Sequence, residues 1–245
     1  MATHQPGGLT SAPRGHLLQQ LRALPSAILL IVQLLGILVY PFTAETSTGR
    51  TVFSLFQLVV LGLAVAAVRL TPALTWVSLC IGAPAAVLTV LTAFLPDSDP
   101  LGLASDVTHA IFYFYTAYAL IRYMFSDNDV TRDEMFATGA CFTVVAWGFA
   151  YVYAVVQTIW GPGQFVSGTP HELRWVELLF LSFTTMTNTG LSDIVPGGGH
   201  ARSVMMLEQL AGVNYVALVV ARLMGLTLAR FQRKPDKTES AEGEQ

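Results

Sequence analysis

Long apolar stretches constrain this chain more than any other feature of its sequence. There are six of them, four without a single charged side chain, at residues 24–42, 52–68, 70–96, 103–125, 135–160 and 203–229. A helix needs about 20 apolar residues to cross the hydrocarbon core of a bilayer. We therefore predict an all-α integral membrane protein with six transmembrane helices.

The overall composition excludes several classes of protein. Charged residues make up 12% of the chain and hydrophobic residues 53%, whereas a soluble domain carries roughly 25% charge. A water-soluble enzyme, a nucleic-acid-binding protein and a disordered scaffold are therefore excluded. A membrane enzyme needs converging polar groups, but the candidates are few and divided between two spans, Asp106 and His109 on the fourth and Glu208 on the sixth. We expect no enzymatic activity, no nucleic-acid partner and no cofactor other than permeant monovalent cations.

The positions of the basic residues predict the orientation in the membrane. With six spans and a cytoplasmic N-terminus, ten of the 13 Lys and Arg residues fall in cytoplasmic segments, as the positive-inside rule requires. We therefore expect a multi-pass protein of the plasma membrane with both termini in the cytoplasm.

The chain divides into four predicted parts. The polar ends, residues 1–22 and 231–245, are expected to be disordered cytoplasmic tails. Residues 23–126 form a predicted four-helix membrane domain, which lacks the regularly spaced arginines of a voltage sensor. Residues 133–230 form the predicted pore domain.

About forty residues between the fifth and sixth spans do not have the sequence pattern of a simple loop. Thr169, Pro170 and Glu172 form a helix-start pattern, which predicts a helix over residues 170–186 that is too short to span. A small, hydroxyl-rich segment follows at residues 184–193. Non-helical backbone at membrane depth is tolerated only inside protein or along a water-filled path, so we predict a re-entrant loop.

Such a loop favours cations for two reasons. Its carbonyl oxygens can replace the water shell of an ion, and the preceding helix directs its negative C-terminal end toward the same place. The physical interpretation is a cation pore.

Residues 180–196, FLSFTTMTNTGLSDIVP, resemble the pore loop of the tetrameric potassium channels, in which T-V-G-Y-G-D follows a Ser/Thr-rich helix end. The helix that begins near Arg202 is similar to the inner helix of that family. The resemblance implies a homotetramer in the lipid bilayer, because each chain supplies one loop and a filter needs four.

The resemblance also implies roles for individual residues. The selectivity filter would comprise Thr187, Asn188, Thr189, Gly190, Leu191 and Ser192. K⁺ or Na⁺ would bind transiently at Asn188, Thr189, Gly190 and Leu191, and Asp193 would lie at the outer mouth. Gly212 would be the hinge of the inner helix, and Val216, Val220 and Met224 would line the cavity or gate.

The filter departs from the family pattern at three positions. Asn188 replaces a threonine, Leu191 replaces the tyrosine that ties the filter to the pore helices, and Ser192 replaces the second glycine. A left-handed conformation at Ser192 would cost about 1–2 kcal/mol relative to glycine. These changes predict a less rigid filter with a retained cation path.

The sequence thus favours a passive potassium or monovalent-cation channel subunit. The alternatives are a cation transporter or uptake subunit and a non-conducting, channel-like membrane protein. Glu208 is interpreted either as a packing residue against the pore helix or as an ion-handling residue, and Arg222 as a residue that extends to the inner membrane surface. Asp106 and His109 form a candidate proton-sensitive pair.

Overall fold

The computed structural model describes residues 24–43, 47–68, 72–95, 98–126, 131–168 and 172–232. Within these ranges the chain is helical, apart from a short 3-10 turn, two strands of two residues each and the connecting segments. The helices are α1 (Pro25–Thr43), α2 (Ser47–Val68), α3 (Pro72–Phe94), α4 (Asp99–Met124), α5 (Arg132–Trp160), α6 (Trp175–Met186) and α7 (Gly199–Gln232). The predicted all-helical class is confirmed.

Three of the described helices are long and apolar enough to cross a membrane, over Thr75–Phe94, Arg132–Trp160 and Gly199–Arg222. The protein is therefore a membrane protein. Helix α4 is also long but carries polar side chains, and the described apolar parts of α1 and α2, Pro25–Tyr40 and Leu55–Ala67, are shorter. The count of six spans stays a prediction. The predicted N-terminal tail and residues 233–245 lie outside the described residues.

Helix α5 is the centre of the fold and packs against α1, α4, α6 and α7. Thr131 caps its start, because the Thr131 hydroxyl oxygen accepts the backbone N–H of Glu134 at 3.2 Å. Gly161 ends it with a φ of 87°. Trp147 and Tyr153 are fully enclosed along its length. Because four other helices pack against it, α5 is the scaffold of the fold.

The starts of α1 and α5 lie at the same end of the molecule. The carboxylate of Asp133 accepts the backbone N–H of Ser26 at 3.1 Å and its hydroxyl at 2.8 Å. The anionic group therefore sits where the dipole of α1 favours negative charge. Tyr123, near the end of α4, donates to the same carboxylate at 3.4 Å.

The late part of α7 reaches this end as well. Arg222 forms an ion pair with Glu134 at 2.7 Å, and its guanidinium lies 4.9 Å from the centre of the Phe125 ring. That Arg222 extends to the inner membrane surface stays a prediction. Its side chain is almost enclosed, because it has a carboxylate partner within the protein.

The opposite end is formed by the end of α5, the start of α7 and a small antiparallel pair. Strand β1 (Phe165–Val166) pairs with β2 (Val195–Pro196), and Trp160 stacks on His200 with ring centres 4.1 Å apart. The chain therefore leaves this end after β1 and returns to it at β2. Helix α6 lies between the two strands in sequence.

The predicted pore helix, α6, begins later in the structure than the sequence analysis places it. Residues 172–174 are not helical, and α6 starts at Trp175, with Glu177 accepting the backbone N–H of Arg174 at 2.7 Å. The side-chain amide of Gln157 bonds both backbone groups of Leu173, at 3.0 and 3.1 Å. These bonds hold the residue outside the helix. Thr169 and Pro170 lie outside the described residues.

Helix α4 packs on α5 of the same chain through stacked rings. His109 lies 4.8 Å from Tyr151, measured between ring centres. Its Nε2 atom is 3.1 Å from the Thr89 hydroxyl, and its Nδ1 atom is 2.8 Å from the carbonyl oxygen of Ser105. Both ring nitrogens are therefore engaged within the chain, and the proton-sensitive role of Asp106 and His109 stays a prediction.

Candidate functional site: a half-length helix and the loop that follows it

Aromatic contacts fix the start of α6 against α5. Trp175 lies 5.1 Å from Trp147 and 5.2 Å from Tyr151, measured between ring centres. Farther along, Leu178 and Leu181 are buried in a second apolar cluster. Tilted aromatic pairs contribute about 0.5–1.5 kcal/mol beyond the area they bury. One side of α6 is thus held rigidly by its own chain.

Helix α6 ends halfway along α7. Met186 is its last residue, and the Met186 carbonyl group faces Gly212. A Cβ atom on Gly212 would lie 2.1 Å from the Met186 oxygen, so only glycine permits this approach. Helix α7 runs unbroken through Gly212. The residue therefore has a packing role here, and its predicted hinge role stays a prediction.

The backbone beyond α6 turns twice through left-handed conformations. Asn188 has a φ of 56° and Gly190 a φ of 63°. The backbone N–H groups of Thr189 and Gly190 donate to the Thr184 carbonyl at 3.1 and 3.3 Å. These bonds satisfy a carbonyl at the C-terminus of the helix.

The non-glycine residue with positive φ in this loop is Asn188, so the left-handed conformation considered for Ser192 is absent. Asparagine tolerates this region better than other side chains, because its short amide can bond locally. The Ser192 hydroxyl oxygen instead accepts the backbone N–H of Ile194 at 3.1 Å.

The predicted filter segment is open on one side within a single chain. Residues 187–191 are all exposed, and Leu191 is 78% exposed. The outer end is anchored by Ile194, which is 5% exposed and packs in the apolar cluster of Leu178 and Leu181. Asp193 is exposed beside this anchor.

The start of α7 is held close to the outer end of the loop. The Nε atom of Arg202 donates to the Pro196 carbonyl at 3.3 Å. The side-chain oxygen of Gln164 accepts the backbone N–H of Ala201 at 3.3 Å. Together with the β1–β2 pair, these contacts join the segments before and after the predicted filter.

A buried carboxylate connects α5, α6 and α7 behind the loop. Glu208 is completely enclosed. One carboxylate oxygen contacts the Tyr153 hydroxyl and the other contacts the Ser182 hydroxyl. Ser182 also donates to the Ala146 carbonyl at 2.8 Å. Of the two interpretations offered for Glu208, these contacts favour packing against the pore helix.

Among residues 199–222, 224 and 225 of α7, whose burial the structure describes, a narrow stripe is buried within the chain. It comprises Ala201, Glu208, Gly212 and Tyr215. The predicted cavity or gate residues lie outside this stripe and are at least half exposed: Val216 53%, Val220 50% and Met224 64%. The structure therefore brings Gly212 to the end of α6 but leaves the other three uncovered.

Sequence reasoning missed three residues that position this loop. They are Tyr153, Ser182 and Ile194. Tyr153 and Ser182 are polar residues within apolar stretches, and that contrast was the available signal. Contacts between these polar side chains depend on how deep each helix lies relative to its neighbours. The sequence does not encode this relative depth directly.

The comparisons agree with this geometry. Residues 139–228 match the family model described as "Ion channel", which covers most of α5, the whole of α6 and the loop, and most of α7. Comparisons with curated proteins and with solved structures found no match. The matched segment contains every residue assigned to the predicted filter and inner helix. Residues 139–228 of this chain are therefore similar to an ion-channel domain.

Proposed function

We propose that the protein is a passive channel for potassium or for monovalent cations more broadly. The observation that carries this proposal is the exposed segment of residues 187–191, which follows the C-terminal end of a half-length helix. In the membrane, α6 and this segment would form a re-entrant loop. The six-span topology, with cytoplasmic termini in the plasma membrane, is part of the same proposal.

The charge distribution of α6 supports a cation rather than an anion. The C-terminus of a helix carries a partial negative charge, and α6 has neither Lys nor Arg within it. The carbonyl groups of residues 188–191 would replace part of the water shell of an ion. Asp193 would add negative charge at the outer mouth.

We propose a homotetramer because one chain provides only one wall of a filter. A closed symmetric ring is the common way for identical chains to complete such a site. The apolar exposed surface of α7 supports this assembly, with Leu207, Leu210 and Val213 more than half exposed. Contact between copies would bury part of that surface.

Selectivity for potassium is expected to be weaker than in channels with T-V-G-Y-G. Leu191 is exposed and carries no hydroxyl group to bond the neighbouring helices. A tether at that position would limit the width that the filter can adopt. We therefore expect permeation of both K⁺ and Na⁺, with K⁺ preferred.

The test uses the purified full-length protein in planar bilayers with K⁺ on one side and Na⁺ on the other. We expect ohmic single-channel currents with a reversal potential shifted toward the K⁺ equilibrium value. A reversal potential near zero would rule out potassium preference. Saturating flux coupled to a second ion gradient would favour the transporter, and silence across voltage, pH and tension would favour the non-conducting protein.

A variant of the filter tests the site itself. Replacing residues 188–192 by T-V-G-Y-G should sharpen the preference for K⁺. A matched change outside the filter is the replacement of the exposed Leu210 by Ile, which conserves volume and should leave the reversal potential unchanged. If the filter replacement also leaves the reversal potential unchanged, residues 188–192 are not the selectivity filter.

A further inference from the structure

Helix α6 contacts α7 at two points that are about one helical turn apart. Ser182 contacts the Glu208 carboxyl group, and Met186 contacts Gly212. Ser182 and Met186 are four residues apart on α6, so they lie on one face of that helix. Glu208 and Gly212 are likewise four residues apart and lie on one face of α7. The second contact sits immediately before the predicted filter. A shift of α7 at either point therefore reaches the filter through α6.

The hydrogens in this cluster can be counted. Three contacts need one hydrogen each: Tyr153 to Glu208, Ser182 to Glu208 and Ser182 to Ala146. Tyr153 and Ser182 each supply one hydrogen. If Ser182 donates to the Ala146 carbonyl, the remaining hydrogen has to come from the Glu208 carboxyl group. All three contacts are satisfied only when Glu208 is protonated.

The surroundings of Glu208 agree with a neutral acid. Its side chain is completely enclosed, and the ion pairs found among the described residues, Arg174 with Glu177 and Arg222 with Glu134, do not include it. An enclosed carboxylate without a cationic partner is strongly unfavourable, and such a group ordinarily takes up a proton.

We propose that Glu208 is a positioning residue for the filter, acting as a protonated carboxylic acid that donates to Ser182 and accepts from Tyr153. It fixes the depth and rotation of α6, and with Gly212 it fixes where the last carbonyl groups of α6 point. The missing tyrosine tether at Leu191 is thereby replaced by a link between the pore helix and the inner helix. This inference rests on the proposed channel function but concerns how the same loop is held.

Four variants separate positioning from charge and from stability. Glu208→Gln keeps one donor and one acceptor in the same shape, so it mimics the neutral acid. Glu208→Leu keeps the volume but removes both contacts. Ser182→Ala removes the link on α6. Thr143→Ala is the matched control, because it deletes another buried hydrogen bond of α5, the 2.7 Å contact with Gln33 of α1.

The first measurement is hydrogen–deuterium exchange over residues 187–192 in the full-length protein, which does not depend on current. A lost bond of this kind should raise exchange there about tenfold in Glu208→Leu and Ser182→Ala. Glu208→Gln should exchange at the wild-type rate. Thr143→Ala should lower the melting temperature without changing exchange in this segment.

The second measurement is the K⁺/Na⁺ permeability ratio of the same variants. We expect Glu208→Leu and Ser182→Ala to lower the ratio and Glu208→Gln to retain it. If Glu208→Gln is as damaging as Glu208→Leu, the carboxylate acts through its charge and the proposal is wrong. The proposal also fails if Ser182→Ala and Thr143→Ala behave alike in both measurements.

Infrared spectroscopy tests the protonation state directly. The wild type should show the carbonyl stretch of a buried protonated carboxyl group, and Glu208→Gln should lose it. Absence of that band in the wild type overturns the protonated assignment. A silent wild type would refute the proposed channel, whereas the exchange and infrared results would still decide the role of Glu208. A conducting wild type with unaltered exchange in every variant would refute only the positioning role.

Discussion

Replacing Gly212 by alanine tests how closely α7 approaches the end of α6. The new Cβ atom would lie 2.1 Å from the Met186 oxygen, 2.9 Å from its carbonyl carbon and 3.1 Å from its Cα atom. The obstructing atoms belong to the backbone, so no side-chain rotation can relieve the clash. The end of α6 has to move away from α7.

The size of the effect follows from this geometry. Cβ contacts shorter than 3.0 Å are essentially absent from proteins, so the Met186 carbonyl has to withdraw by about 1 Å, and overpacking of this kind costs about 1–3 kcal/mol. For a chain of this size that corresponds to a fall in melting temperature of roughly 2–10 °C. Because the predicted filter begins at Thr187, the displacement should also change the K⁺/Na⁺ permeability ratio.

The assay combines thermal denaturation of the purified protein with reversal potentials in bilayers. Gly62→Ala is the control, since a Cβ atom at Gly62 in α2 meets nothing within 4 Å. That variant should be at least as stable as the wild type, because alanine is the better helix former by up to about 1 kcal/mol.

A hinge and a packing contact give different outcomes for Gly212→Ala. Stiffening a hinge would lower the open probability and leave the melting temperature and the permeability ratio unchanged. That result would refute the packing argument. Loss of stability together with altered selectivity, and neither of them in Gly62→Ala, would support it.

Three further predictions concern other parts of the chain. Asn188→Val places a β-branched residue at a φ of 56°, and we expect a loss of about 1–2 kcal/mol in thermal denaturation, whereas Asn188→Gly should match the wild type; equal stability of the two variants would contradict the left-handed assignment. Arg222→Met removes the ion pair with the buried Glu134 carboxylate and should cost up to about 3–5 kcal/mol, and the double variant with Glu134→Gln should recover part of that loss in a double-mutant cycle. Helix α4 carries Arg122 as its one arginine, so recorded currents should lack steep voltage activation, and a sigmoidal conductance–voltage curve would argue against this expectation.

Much of the helical layout was predictable from the sequence because it depends on local patterns. The predicted fifth span, residues 135–160, ends where α5 ends, because Gly161 and Pro162 follow it. The start of α6 was not predictable in the same way. The predicted helix start places Glu172 in the first turn, whereas Glu177 occupies the first turn in the structure. The bonds from Gln157 to Leu173 hold the earlier residues outside the helix.

The organisation behind the filter was harder to predict because it depends on the relative depth of helices. Glu208 was singled out as a carboxyl group in an apolar span, but its partners lie 26 and 55 residues away in sequence. Similarly, Asn188 was identified as a departure from the family pattern, but a left-handed backbone was considered at Ser192 and not at Asn188. The hydrogen bonds from Thr189 and Gly190 to Thr184 end the helix early enough to place the turn at Asn188.

The contacts that join α1 and α4 to α5 lie within one chain. Asp133 bonds Ser26 of α1 and Tyr123 of α4. A newly synthesised chain can therefore complete these contacts in the membrane before it meets another copy. In the proposed homotetramer, assembly would then be a late step between folded subunits, and its rate would depend on their density in the bilayer. Chains that differ only in the proposed filter would share these contacts, so we expect them to assemble together when they are co-expressed.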